Sequence, residues 1–97
     1  MHVISLKRLR EFWHAHPDAE KSLRAWHQTT EHAEWDNFED VRGVFGKRVD
    51  RVGKFAVFDI GGNKYRLIAA IHYDRQKVYV RNVFTHAEYD LDKWKDD

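Results

Sequence analysis

The sequence predicts a single α+β domain over residues 1–97, with N-terminal helices packed on an antiparallel β-meander. Three observations predict it. Up to Phe45 the apolar residues recur every three or four positions, the period of a helix face. From Phe55 onward they gather into runs rich in Val, Ile, Tyr and Phe, which fit a pleated surface. Between those runs stand Gly61-Gly62 and Asp74 to Lys77, the punctuation of hairpins. Helices followed by strands is the α+β order, and no repeat, low-complexity tract or linker interrupts it. At 97 residues the chain can build one core without disulfide or metal staples.

Ser5 is placed to cap a first helix in which Leu6, Leu9, Phe12, Trp13 and His16 turn inward and Lys7, Arg8 and Arg10 face water. Pro17 ends that helix and opens a second, because a proline loses nothing in a first turn whose N–H groups lack helical partners. Asp18 and Glu20 then lie near the positive end of the new macrodipole. Ala19, Leu23, Trp26 and Thr30 form its inner stripe, and Glu20 and Arg24 stand one turn apart on the outside. A short third helix runs from Phe38 to Phe45, capped by Asp36 or Asn37, with Phe38, Val41 and Phe45 inward and Gly43 weakening it. Gly46 to Gly53 reads as the one flexible segment.

Two strands, Phe55 to Ile60 and Lys64 to Tyr73, flank the glycine pair. A two-residue turn with positive φ at both glycines sets Asp59 opposite Lys64, Phe58 opposite Tyr65 and Val57 opposite Arg66. A third strand, Val78 to Thr85, follows an even-numbered loop, which sets Tyr73 opposite Val78, Ala70 opposite Arg81 and Arg66 opposite Thr85. In that register Lys64, Arg66 and Arg81 share one face with Ile68, His72, Tyr79 and Val83. The other face, Tyr65, Leu67, Ala69, Ile71, Val78, Val80 and Phe84, is apolar and suited to the helices. An odd-numbered loop would reverse the third strand.

Composition narrows the classes. With no cysteine there is neither a disulfide framework nor a thiolate metal site, and no long apolar run marks a signal peptide or a membrane span. The expected compartment is a reducing cytoplasm. The net charge of +1 conceals an uneven distribution. Seven acids between Asp18 and Asp40 meet only Lys21 and Arg24, whereas Arg42, Lys47, Arg48, Arg51 and Lys54 meet only Asp50. The second group is a candidate polyanion contact, and a solvated loop of ordinary surface charge explains it equally well. The balanced total argues against indiscriminate coating of nucleic acid.

Of the four tryptophans, Trp13 and Trp26 fall on inner helical positions, while Trp35 and Trp94 fit either a core or a base-stacking role. Seven histidines form no ligand pattern: His14 and His16 point to different sides of a helix, His27 and His32 are five apart, and His-Glu-x-x-His is absent. Glycine-rich nucleotide motifs are absent too, so neither metal nor cofactor is expected.

His86 stands apart from the other histidines. In Thr85-His86-Ala87-Glu88-Tyr89-Asp90 it leaves a strand end and lies three residues before Tyr89, beside it on one helical turn. A lone surface histidine is more often a cap than a catalyst, but this one leaves the strand of Arg81, and the neighbouring strand brings Arg66 and Lys64 to the same end. RNA carries its own nucleophile, the 2′-hydroxyl. A metal-free site need only orient that group, take its proton, stabilise charge on phosphorus and protonate the leaving 5′-oxygen. Here Arg66 would bind the scissile phosphate, Lys64 and Arg81 would hold phosphates, and His86 and Tyr89 would share proton transfer or base stacking. Lys47, Arg48, Arg51 and Lys54 are the further candidate contacts to RNA backbone.

The runs GGNKYRL and IAAIHYDRQKVYVRNVFTHAEYD, with the N-terminal HPDAEKSLRAW, together resemble the HigB toxin family of bacterial type II toxin–antitoxin systems, within the RelE-like group of messenger RNA interferases. The likeness covers almost the whole chain, and the combination of NKYRL with THAEYD is its specific part. It implies a RelE-like fold, an endoribonuclease that cleaves mRNA, usually on the translating ribosome, and a HigA-like helix-turn-helix antitoxin through which alone DNA would be met. Arg66 resembles in position the active-site arginine of RelE-like toxins, and Tyr89 their C-terminal tyrosine. His86 has no uniform counterpart in the group, which leaves general base and general acid unassigned. Two other classes fit the residues: an RNA- or ribosome-binding module that leaves RNA intact, and an interaction domain that docks a protein through its acidic helices.

Overall fold

In the computed structural model, which describes residues 1–91, the elements are β1 (His2–Ile4), α1 (Leu6–Ala15), α2 (Glu20–Glu31), α3 (Phe38–Phe45), β2 (Val49–Val52), β3 (Phe55–Ile60), β4 (Tyr65–His72), β5 (Lys77–Thr85) and α4 (His86–Asp90). Short 3₁₀ turns at Pro17–Ala19 and Gly46–Arg48 precede α2 and β2. The strands form one sheet in the order β1-β5-β4-β3-β2, with β1 parallel to β5 and every other pair antiparallel. The predicted α+β layering holds: Leu9, Leu23, Trp26 and Val41 from the first three helices pack in one core with Phe58, Leu67, Val78 and Val80 from the sheet.

The inner stripe of α2 is realised in full, Ala19, Leu23, Trp26 and Thr30 all being at most 3% exposed. Trp26 meets Phe58 edge-on, Phe58 meets Phe45, and Phe45 meets Trp35, with ring centroids 5.4, 5.0 and 6.1 Å apart. Trp35 is therefore a core residue rather than a stacking platform; Trp94 lies outside the described residues. Leu23→Ala should cost about 2–5 kcal/mol, because such a site cannot collapse around the lost methyl groups. Urea unfolding followed by circular dichroism measures this, and a loss below about 1 kcal/mol would contradict the packing.

Several expectations are corrected. Ser5 occupies the N-cap position, but its φ of 78° is left-handed and its side chain makes no capping bond. One residue must turn β1 into α1, and the Ser5 carbonyl accepts from the Arg8 N–H instead. Pro17 opens a 3₁₀ turn, so α2 begins only at Glu20. Of the two proposed caps for α3, Asn37 does it, accepting from the Asp40 N–H at 3.1 Å. Gly46 to Gly53 is no flexible loop. It contains edge strand β2, whose buried Val49 pairs with Phe58. Alternating Val49 and Val52 with two charged residues hid a strand of four residues, and β1, with three, is too short to show a period.

The hairpin register also shifts. The turn after β3 spans four residues, 61–64, with Gly61 and Gly62 both at positive φ. Asp59 therefore pairs with Arg66 rather than Lys64, and Phe58 with Leu67 rather than Tyr65. Lys64 instead approaches Asp18, and Tyr65 donates to Asp18 Oδ1 at 2.6 Å. Between β4 and β5 the loop is even-numbered, but His72 pairs with Lys77 and Ala70 with Tyr79. A bulge then leaves Arg81 extra between the Ala69–Val80 and Ile68–Asn82 pairs. Beyond it the alternation reverses, as an added residue must make it do. Val83, opposite Leu67, joins the helix-side core, while Phe84, opposite Arg66 rather than Thr85, moves to the outer face.

The Tyr65 hydrogen bond holds the Asp18 carboxyl below its ordinary value of 3.8, against desolvation and with help from Lys64. The same bond raises the Tyr65 phenol above 10.0. A depressed carboxyl stabilises the fold above its unfolded value and loses that contribution as pH falls through the folded one; the raised phenol loses its contribution as pH rises past about 10. Asp18→Asn is thus expected to flatten the acid limb of the Tm–pH curve below about pH 4. An unchanged acid limb would remove this contact from the pH dependence.

Candidate active site

Arg66 lies on the sheet face opposite α1–α3, where Phe55, Val57 and Ile68 form a second buried cluster flanked by Val52, Ala70, Phe84 and Tyr89. Its register places it across from Asp59, and Arg66 as a whole is only 8% exposed. Burial of a guanidinium demands partners, and it has them. Nε lies 3.2 Å from Asp59 Oδ1. Nη1 donates to the carbonyls of Asn63 and Tyr65 at 3.3 and 3.1 Å, and Nη2 donates to Asn63 Oδ1 at 2.5 Å. The Tyr89 ring centroid stands 5.7 Å from its Cζ.

His86 is brought to this end of the sheet by its backbone, whose N–H donates to the Lys64 carbonyl at 3.0 Å. It opens α4, a helix of five residues that stands through a capping box. Thr85 Oγ1 accepts from the Glu88 N–H at 3.2 Å, and Glu88 Oε1 accepts from the Thr85 N–H at 2.8 Å. Asp90, one turn on, puts Oδ2 3.0 Å from His86 Nδ1. A carboxylate beside Nδ1 favours a proton on that nitrogen, the arrangement that leaves Nε2 of a neutral ring as an acceptor. Thr85→Ala should remove about 1 kcal/mol of capping and loosen α4 locally. Faster amide exchange from His86 to Asp90 with a nearly unchanged Tm is the expected result; unaltered exchange would deny the box its role.

The remaining candidates divide by face. Arg81, re-aimed at the bulge, and Lys54 both lie over the Phe55 ring, 5.2 and 5.4 Å from its centroid. With Arg66 they line the outer face over the stretch of β3 from Asp59 to Phe55, about 13 Å at ordinary strand rise. Lys64 is exposed and meets Asp18 at 3.5 Å. Lys47, Arg48 and Arg51 do not join this line. Lys47 and Arg48 occupy the exposed 3₁₀ turn before β2, where Arg48 Nε donates to the Phe45 carbonyl at 3.4 Å. Arg51 pairs with Ala56 on the helix-facing side and lines a cleft with Phe38 and Tyr73. Burial raises the Tyr73 phenol above 10.0.

Asp59, Asn63, Thr85 and Asp90 were not singled out from sequence. The Thr-x-x-Glu of the capping box was legible at Thr85–Glu88, and Asp90 lies four residues after His86, the spacing of a helical pair. Asp59 and Asn63 were concealed by the assumed two-residue turn.

Residues 19–92 match the HigB toxin family, described as the RelE-like toxic component of a toxin–antitoxin system. The mRNA interferase toxin HigB of Escherichia coli strain K12 is 33% identical over 93 residues, spanning 94% of this chain and 89% of that protein. The mRNA interferase HigB of Shigella flexneri is similar to the same degree, and that of Escherichia coli O6:H1 is 29% identical over 93 residues. This chain belongs to the HigB toxin family.

Proposed function

We propose that this chain is an endoribonuclease that cleaves messenger RNA on the translating ribosome, by attack of the RNA's own 2′-hydroxyl, and that a HigA-like helix-turn-helix antitoxin neutralises it in the cytoplasm. The observation that carries the reading is the buried guanidinium of Arg66, fixed in orientation at the sheet end where the His86–Asp90 pair stands. Arg66 offers charge to the scissile phosphate and to the more highly charged transition state. His86 Nε2 takes the 2′-proton or, once the ring is protonated, gives one to the 5′-oxygen. The 2′-oxygen bonds to phosphorus as the P–O5′ bond breaks, leaving a 2′,3′-cyclic phosphate and a 5′-hydroxyl. Tyr89 serves as the second proton-transfer group or stacks on a base.

Arg81 and Lys54 carry the flanking backbone along the outer face. Lys64 joins them by leaving Asp18, since an ion pair this exposed is weakly held. Lys47, Arg48 and Arg51 extend the contact for RNA that rounds the β2 edge. The test is inducible expression of the wild-type chain with mapping of RNA 5′ ends, translation running or blocked. Cuts confined to translated frames support the proposal. Cuts without translation make it a free ribonuclease, and intact RNA from a soluble, folded chain makes it a binding module.

A further inference from the structure

We infer that Asp59 and Asn63 are positioning residues that set Arg66 in its working orientation before RNA arrives, an inference that rests on Arg66 being the phosphate ligand. An arginine side chain carries large rotamer entropy, which a free arginine must lose at the moment of binding. Here that loss belongs to folding. Asp59, directly across the ladder, faces Nε, while Asn63 uses both its oxygens, the carbonyl on Nη1 and Oδ1 on Nη2. The glycine turn makes this possible: with φ of 63° and 72°, Gly61 and Gly62 carry the chain round so that Asn63 lies back over the start of β4.

The three hydrogen bonds from the Nη atoms occupy three of their four N–H groups and leave one on Nη2 uncommitted among the described residues. That donor is the one a phosphate oxygen can take without displacing a protein group. Asn63 itself is exposed and belongs to no core cluster, so its grip on Arg66 is not needed to close a hydrophobic layer. An ordinary turn asparagine would stabilise the hairpin alone; a positioning asparagine governs the rate of the chemical step.

The two roles separate in single-turnover cleavage of an mRNA in a purified translation system, with toxin concentration varied to give the maximal rate and the half-saturating concentration. Asn63→Ala and Asp59→Ala are each expected to lower the maximal rate by about 10- to 100-fold, the scale of a misplacement near 1 Å, with half-saturation changed less than about threefold. In the toxin alone, ¹⁵N spectra of the Arg66 guanidinium should show hindered Nη rotation in the wild-type chain and averaged signals in Asn63→Ala. If Arg66→Ala is impaired but either variant cleaves at the full maximal rate, that residue does not position Arg66. A slowed Asn63→Ala with unaltered Arg66 signals also overturns the inference, since Asn63 would then act on RNA directly. Full activity of Arg66→Ala, or no cleavage by the wild-type chain, rejects the reading of Arg66 itself. The exposed turn makes Asn63→Ala the informative variant should Asp59→Ala fail to fold.

Discussion

His86→Ala is expected to slow RNA cleavage by about 10²- to 10⁴-fold while leaving the sheet and its core intact. The side chain is exposed and is held by Asp90, whereas the bond that ties this residue to β4 belongs to its backbone and survives the substitution. A lost rate therefore reports chemistry. Asp90→Asn should act in the same direction, because an amide can donate to Nδ1 and so favour the tautomer whose Nε2 carries the proton. Single-turnover rates beside Tm values decide it. A His86→Ala chain that folds and cleaves within twofold of wild type would falsify the assignment.

Arg66→Ala is the second large effect, about 10²- to 10³-fold in cleavage, the scale for losing one preorganised charge-stabilising donor. Unlike His86, this residue is structural as well. Its removal leaves Asp59 without an ion-pair partner and Asn63 without its donors, and it empties the space that the buried side chain fills, so Tm should fall. Activity must therefore be compared at a temperature where both chains are folded. Arg66→Lys sharpens the comparison: a lysine keeps the charge opposite Asp59 but cannot donate to Asn63 through two separate nitrogens. Recovery of stability without recovery of rate is the expected outcome, and full recovery of both would reduce the role of Arg66 to its charge.

Periodic and long features of this fold were legible in the chain. The Ala19–Thr30 stripe, helix Phe38–Phe45 and strand Phe55–Ile60 follow directly from apolar spacing. Arg66, His86 and Tyr89 stand out in the sequence as a strand-end arginine and a histidine three residues before a tyrosine, both local patterns. What stayed hidden depends on a single residue of register. Whether Asp59 meets Lys64 or Arg66 is decided by how the Gly61 turn closes, and the bulge at Arg81 exchanges Val83 for Phe84 with no glycine or proline to announce it. Strand alternation has a period of two, so an extra residue undoes every side assignment beyond it.

The parallel pairing of β1 with β5 has a consequence for synthesis. His2 finds its partner Lys77 only after the three helices and the strands between them have been made, and β4, which carries Arg66, needs β5 on its other side. Contacts of such separation form late, because the loop between them must close first. A nascent chain that has not yet exposed β5 therefore holds β1 unpaired and lacks the strand that delivers His86. Sheet completion and assembly of the candidate site are therefore one event, and both wait on β5.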